Sequence, residues 1–247
     1  MSKLNRKNVW TITTKDIGLF IKKKWILYSA LILPLIISIG LPIIVWYIVN
    51  HRAVPIQLLF PVFTAFSFFF IILSAIIPTV IASYSFVGEK TEKTLEPLLA
   101  TPTTDDEILL GKSLAAFLPV ILMIFLSAVI FMVLMDIFTF AKVGYLFFPN
   151  WIFVIIILLD TPLACVMSIE LSVIISSRVN DIRSAQQLAS VVLVPFLLLY
   201  LLTEFSVITI DVNTMLIIAG ILALIDIFLF LISRALFRRE EILTKWK

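Results

Sequence analysis

Six long apolar runs set the limits on what this 247-residue chain can become. They cover about 26–49, 58–87, 113–139, 151–177, 186–205 and 214–236. A hydrocarbon core of about 30 Å takes about 20 helical residues at 1.5 Å each, and every run is long enough. The runs are continuously apolar rather than alternating, which excludes spanning strands. Composition agrees, with 62% hydrophobic and 14% charged residues, against roughly 45–50% and 25% in a soluble domain. The expected fold is an all-α membrane protein, a single transmembrane domain over 1–247 with six transmembrane helices.

Basic residues give this layout an orientation. With both termini in the cytoplasm, all but two of the 19 Lys and Arg residues fall on the cytoplasmic side, Arg52 and Lys142 being the exceptions. Such asymmetry requires an even number of spans, because moving one span would scramble it. It also accounts for the basic pI through contact with anionic headgroups, so no nucleic-acid partner is expected. Lys3, Arg6, Lys7, Lys15, Lys22, Lys23 and Lys24 precede the first run, which is too long for the core of a cleavable leader. One cysteine, Cys165, and one histidine, His51, leave no internal disulfide and no His/Cys metal cluster. Cys165 reads as a small core residue.

Two segments on the cytoplasmic side carry more than a short turn. In residues 8–24, Val9, Trp10, Ile17, Phe20 and Ile21 share one helical face opposite Thr11, Lys15 and Lys22. That arrangement suits an amphipathic helix in the headgroup plane, with Asp16 at the edge of the apolar arc. The second segment, 88–112, joins the second and third spans. Thr94 can cap a short helix whose first turn tolerates Pro97 and whose side exposes Leu95, Leu98 and Leu99, ending near Thr101–Pro102. Thr104-Asp-Asp-Glu107 then has the form of a capping box that launches a helix into the third span. A leucine-bearing helix held between two spans is either a docking element for a partner or a connector resting on the bilayer. Leu110-Gly-Lys112-Ser113 looks like the end of a phosphate-binding loop, but Asp106 stands where that loop needs its first glycine.

From Phe86 the chain reads FVGEKTEKTLEPLLATP, and from Ile108 it reads ILLGK, the latter ending at Lys112. This resembles the signature of ABC-2-type permeases, the membrane subunits of one large group of ATP-binding-cassette transporters. The departures are Glu92-Lys93, where the family usually has Gly before the Thr, and Pro97. Residues 176–187 are also similar to family members. The resemblance implies that Glu89, Thr94, Leu95, Glu96, Pro97, Leu98, Leu99, Thr101 and Pro102 form a coupling helix seated on a separate ATPase subunit. It implies an N-terminal helix lying beside it and a second permease subunit, identical or a sister chain. Family members mostly export. No cofactor is expected on this chain, with ATP and Mg held by the ATPase.

Acids inside the apolar runs are the remaining candidates. Asp160, Glu170 and Asp226 lie within predicted spans, where each costs roughly 2.5–3.5 kcal/mol near a helix centre. They either line a translocation path or make interhelical hydrogen bonds. Glu170 is expected to pair with Arg178 two turns on. Thr161–Pro162 should kink the fourth span. Asp136 and Glu204 sit near outer ends and are expected to reach the interface. Phe66, Phe68, Phe69 and Phe70 either coat an apolar cavity or pack in the bundle. An alternative function is a secondary carrier coupled to protons or cations through Asp160 and Asp226. It lacks support from any inverted repeat or Gly-interrupted span pair. An intramembrane enzyme would need a Ser/His pair, a metal motif or paired catalytic acids, and none is present at workable spacing.

Overall fold

The computed structural model describes residues 5–51, 59–88, 103–205 and 207–237, without the side chains of 25–27 and 29. The described residues are helical with short connections and no strand. Helix α1 (Arg6–Lys22) precedes α2 (Lys24–His51), α3 (Phe60–Ser83) and a π-turn, Tyr84–Gly88. Helix α4 (Asp105–Val143) follows, then α5 (Trp151–Ile155), a second π-turn (Ile156–Asp160) and α6 (Thr161–Ser176). Helices α7 (Ile182–Ala189), α8 (Leu193–Glu204) and α9 (Val212–Leu236) follow. Six helical stretches are long and apolar enough to cross a membrane: Ala30–His51, Phe60–Gly88, Asp105–Val143, Trp151–Ser176, Ile182–Glu204 and Val212–Leu236.

Polar caps mark where these helices begin. Asn150 accepts from the Phe153 amide at 2.8 Å, and Asp181 and Asp211 accept from Ser184 and Thr214. Those amide bonds hold both aspartates below the usual carboxylate range. Helix α4 runs for 39 residues, about 58 Å at 1.5 Å per residue, roughly twice the hydrocarbon thickness. Its first turns therefore extend beyond the apolar core. Pro162 cannot donate to a carbonyl one turn back, and the chain answers with a π-turn in which the Thr161 amide reaches Ile156 O. The kink expected at Thr161–Pro162 thus takes the form of a one-residue widening of the helix.

Helix α3 is the centre of the bundle. The apolar stretch that qualifies Phe60–Gly88 as a span is 78% buried, whereas that of Ile182–Glu204 is 22% buried, and the latter helix presents Leu197, Leu198 and Leu201 outward. Exposed leucine costs nothing against lipid. Helices α3 and α6 pack closely, and each buries small residues: Ser74, Ala75, Ala82 and Ser83 on one, Ala164, Cys165, Ser168 and Ser172 on the other. Hydroxyls of Ser74, Ser168 and Ser172 donate to carbonyls of their own helix, so these three are buried with their donors satisfied, whereas Ser83 Oγ has no hydrogen-bond partner among the described residues. Phe68 and Phe70 are fully buried, with Phe68 against Tyr200 and Phe70 edge-on to Phe131 and Phe153. The phenylalanines of the second span are packing groups.

Two expectations for the acids fail. Asp136 does not reach the interface. It is buried and accepts the amides of Phe147 and Phe148 at 2.9 and 3.0 Å, tying the 144–150 loop to α4. Rings of Phe60, Phe63, Phe131 and Phe153 close over that loop. Asp136→Ala is expected to destabilise the chain by about 1.5–3 kcal/mol, since the bonds being lost go to a carboxylate. A melting series in detergent, with Asp136→Asn as the milder comparison, measures this. Nor does Glu170 pair with Arg178. Helix α6 stops at Ser176, Arg178 turns out to solvent, and Oε2 of Glu170 is buried without a partner. Glu204 stays exposed, beside a cavity of about 450 Å³ formed with Phe60, Thr64 and Thr203.

Candidate functional site

The residues expected to dock a partner, Glu89, Thr94, Leu95, Glu96, Pro97, Leu98, Leu99, Thr101 and Pro102, lie outside the described residues. The frame that holds them is described on both sides, up to Gly88 and again from Thr103. On the near side the π-turn Tyr84–Gly88 is wholly buried. On the far side α4 opens on the capping box read from the sequence. The Thr104 side chain accepts from the Glu107 amide at 3.3 Å, and Glu107 Oε2 accepts from the Thr104 amide at 3.2 Å.

Glu107 also reaches a second helix. Its Oε1 accepts from the Asn5 amide at 2.7 Å and its Oε2 from Asn8 Nδ2 at 2.9 Å. The carboxylate therefore caps α4 and fastens the start of α1 to it. One turn later α1 presses against α4 where Gly111 leaves room. A Cβ built on Gly111 would lie 2.8 Å from Ile12 Cβ and 3.1 Å from Val9 O. Thr13 Oγ1 donates to Gly111 O at 3.0 Å across the same contact.

The third fastening is ionic. Lys112 is fully buried and its Nζ lies 3.3 Å from Asp16 Oδ2, itself on a side chain only 3% exposed. The same Nζ donates to Ser85 O at 2.9 Å, and Ser85 Oγ donates to Asp16 Oδ2 at 3.0 Å. Three elements, α1, the π-turn and α4, thus share one buried polar knot. The π-turn matters here because its wider pitch re-aims the chain at Ser85. The Phe86 ring lies 5.5 Å below the ammonium. A fourth element joins from the end of the chain. Arg234 of α9 forms a two-pronged pair with Asp106 at 2.6 and 2.8 Å, and Phe237 packs edge-on against Phe86. Every element next to the 89–102 segment is therefore tied to the others by named side-chain contacts.

Sequence reasoning missed most of this knot. The arc expected of α1 is divided: Val9 and Phe20 face inward with Ile12, Thr13 and Asp16, while Trp10 and Ile21 are exposed. Trp10 and Ile21 lie about 100° round the helix from the buried row, and Lys15 and Lys22 lie on the other flank. The usable signal was Asp16, an acid beside an apolar arc. The Gly111-Lys112 pair, set aside as part of a phosphate loop, lies within α4 and is committed to α1.

The membrane acids are placed differently from one another. Asp160 sits at the end of the second π-turn, fully buried, with neither oxygen bonded among the described residues. Asp226 on α9 is buried, also without a hydrogen-bond partner, and acts electrostatically on Glu170 and Cys165 of α6. The structure brings Glu170 and Asp226 together and leaves Asp160 apart, about ten residues or 15 Å up the helix from Glu170.

A helical bundle with six candidate spans among its described residues is a multi-pass membrane protein. The chain matches the family described as "ABC-2 family transporter protein" over residues 10–239, and it belongs to that family. It is therefore a membrane permease subunit of an ABC transporter, a family membership that implies an ABC ATPase as partner. No curated protein matches the chain. Family membership favours the permease over the ion-coupled carrier that the buried acids alone would have allowed.

Proposed function

We propose that this chain is the membrane half of an ATP-driven exporter, with both termini in the cytoplasm and residues 94–102 seated in a groove of a separate ATPase subunit. ATP and Mg belong to that partner, and this chain binds neither. A second permease subunit, identical or a sister chain, completes the path. Closing of the ATPases moves the 94–102 segment, and the motion passes to the spans on either side. The observation that carries this reading is the knot at the base of the segment. A push delivered between Gly88 and Thr103 meets Ser85, Lys112 and Asp16 already linked at 2.9–3.3 Å, so α1, α3 and α4 move as one body. The charge distribution supports the orientation, since Lys142 is the one described Lys or Arg at the end of the bundle opposite α1.

The test is co-purification with a cognate ABC ATPase after Leu98→Asp and Leu99→Asp together. Loss of the complex is expected, with the permease melting as the parent chain does, because two charges are placed on an apolar docking face. An undiminished complex would refute docking at 94–102.

A further inference from the structure

Helices α4, α6 and α9 enclose a cavity of about 250 Å³ on the same half of the bundle as the knot. Its walls are apolar, formed by Leu109, Phe117, Ile169 and Phe230, with Leu114 exposed at 36% on its rim. One carboxylate lines it: Glu170, 7% exposed, its Oε2 buried without a hydrogen-bond partner. A smaller cavity of about 170 Å³ shares Leu109 and Phe230 and runs on to Asp106 and Arg234. Those two are already joined at 2.6 Å and offer no net charge. Asp226, the other titratable group acting on Glu170, is itself an acid with both oxygens unbonded. Among the described residues, the groove is therefore a largely apolar trough with two serines, Ser113 and Ser233, and one carboxyl group, Glu170, on its lining.

We propose that this groove is a binding site for an amphiphile with an apolar chain and an ammonium head, the head resting on Glu170. A buried carboxylate lacking a donor is costly, and an ammonium supplies the donor and the countercharge at once. The walls take the chain by ordinary apolar burial. An anionic head has no donor to offer Glu170, and a neutral alcohol supplies the donor without the charge. The lining residues named all come from this chain, and the proposal does not depend on how the ATPase docks. Two sources share the chemistry: an aminophospholipid of the surrounding bilayer, and a free long-chain amine.

The experiment is native mass spectrometry of the full chain in a neutral detergent, titrated with dodecylamine, dodecanol and dodecyl sulfate. One dodecylamine should bind at least about tenfold more tightly than either control, and Glu170→Gln should remove that preference. Glu170→Asp, which keeps the charge on a shorter arm, should fall between. Dodecylamine should also raise the melting temperature of the unaltered chain more than dodecanol does, a readout that needs no variant to fold. Equal binding of the three compounds, or an unchanged preference in Glu170→Gln, would overturn the site. Chain extracted from phosphatidylethanolamine-containing bilayers and from phosphatidylglycerol bilayers then separates the sources. Ethanolamine lipid retained by the parent chain and lost from Glu170→Gln assigns the site to lipid. Dodecylamine binding without such retention assigns it to a free amine.

Discussion

Lys112→Met is expected to cost about 3–5 kcal/mol and to release α1 from the bundle, because it strands a buried carboxylate. Asp16 is 2% exposed and its Oδ2 accepts from both Lys112 and Ser85. Once the ammonium is gone, the other cation paired with Asp16 among the described residues is Lys15, 3.9 Å from Oδ1 and itself 44% exposed. Burying two charges is costly in the first place, so the pair owes its value to being complete. That gives the prediction a second arm. Replacing both partners by apolar groups, Asp16→Leu with Lys112→Met, should recover most of the loss, since neither charge remains to be solvated. Lys112→Arg should not substitute, because a planar fork does not fit a fully buried site shaped around an ammonium donating to Ser85 O at 2.9 Å. Melting in detergent gives the energies, and protease cleavage between Arg6 and Lys24 reports whether α1 has come away. A single variant that melts with the parent and resists cleavage would mean that the ion pair holds nothing.

How far the sequence was legible follows from what a sequence pattern can report. Length and hydropathy speak about one helix at a time, and the spans were readable for that reason. Thr104 and Glu107 were readable too, because a capping box closes within three residues. Pro162 announced its kink, though not that the chain would relieve it by a π-turn. The Asp16–Lys112 pair, by contrast, spans 96 positions, and no local periodicity encodes a partner that far away. Helix α1 was misread for a related reason. Protein lies on one side of it and an apolar flank, Trp10 and Ile21, on the next, so two different environments merge into one broad apolar arc. Glu170 and Arg178 are two turns apart, about 12 Å of rise and beyond the three- or four-residue spacing at which helical side chains meet, and the helix ends at Ser176 before the arginine. The docking residues 94–102 rest on the family resemblance and on the frame around them.

Gly111→Ala sets two physical effects against each other, and the contact with α1 should win. In an isolated helix alanine is better than glycine by about 0.8–1.0 kcal/mol, so α4 alone would be stabilised. The new methyl would stand 2.8 Å from Ile12 Cβ, 2.9 Å from Ile12 Cγ2 and 3.1 Å from Val9 O. The first two are distances that Cβ atoms essentially never hold and the third is unusually tight, and overpacking of this kind costs about 1–3 kcal/mol. The nearest atoms belong to the stem of a branched side chain and to backbone, so no rotamer change relieves them. Helix α1 must move as a body, and the Thr13 bond to Gly111 O at 3.0 Å opens as it does. Ile12→Ala should therefore fail to rescue Gly111→Ala, since alanine keeps the Cβ that makes the closest approach. A variant that melted above the parent would show that helix propensity governs and that α1 is not seated against this glycine. Combining Gly111→Ala with Lys112→Met distinguishes one joint from two. If both residues act by holding α1, the double variant loses less than the two single losses added together, because a helix already released by the first change cannot be displaced by the second.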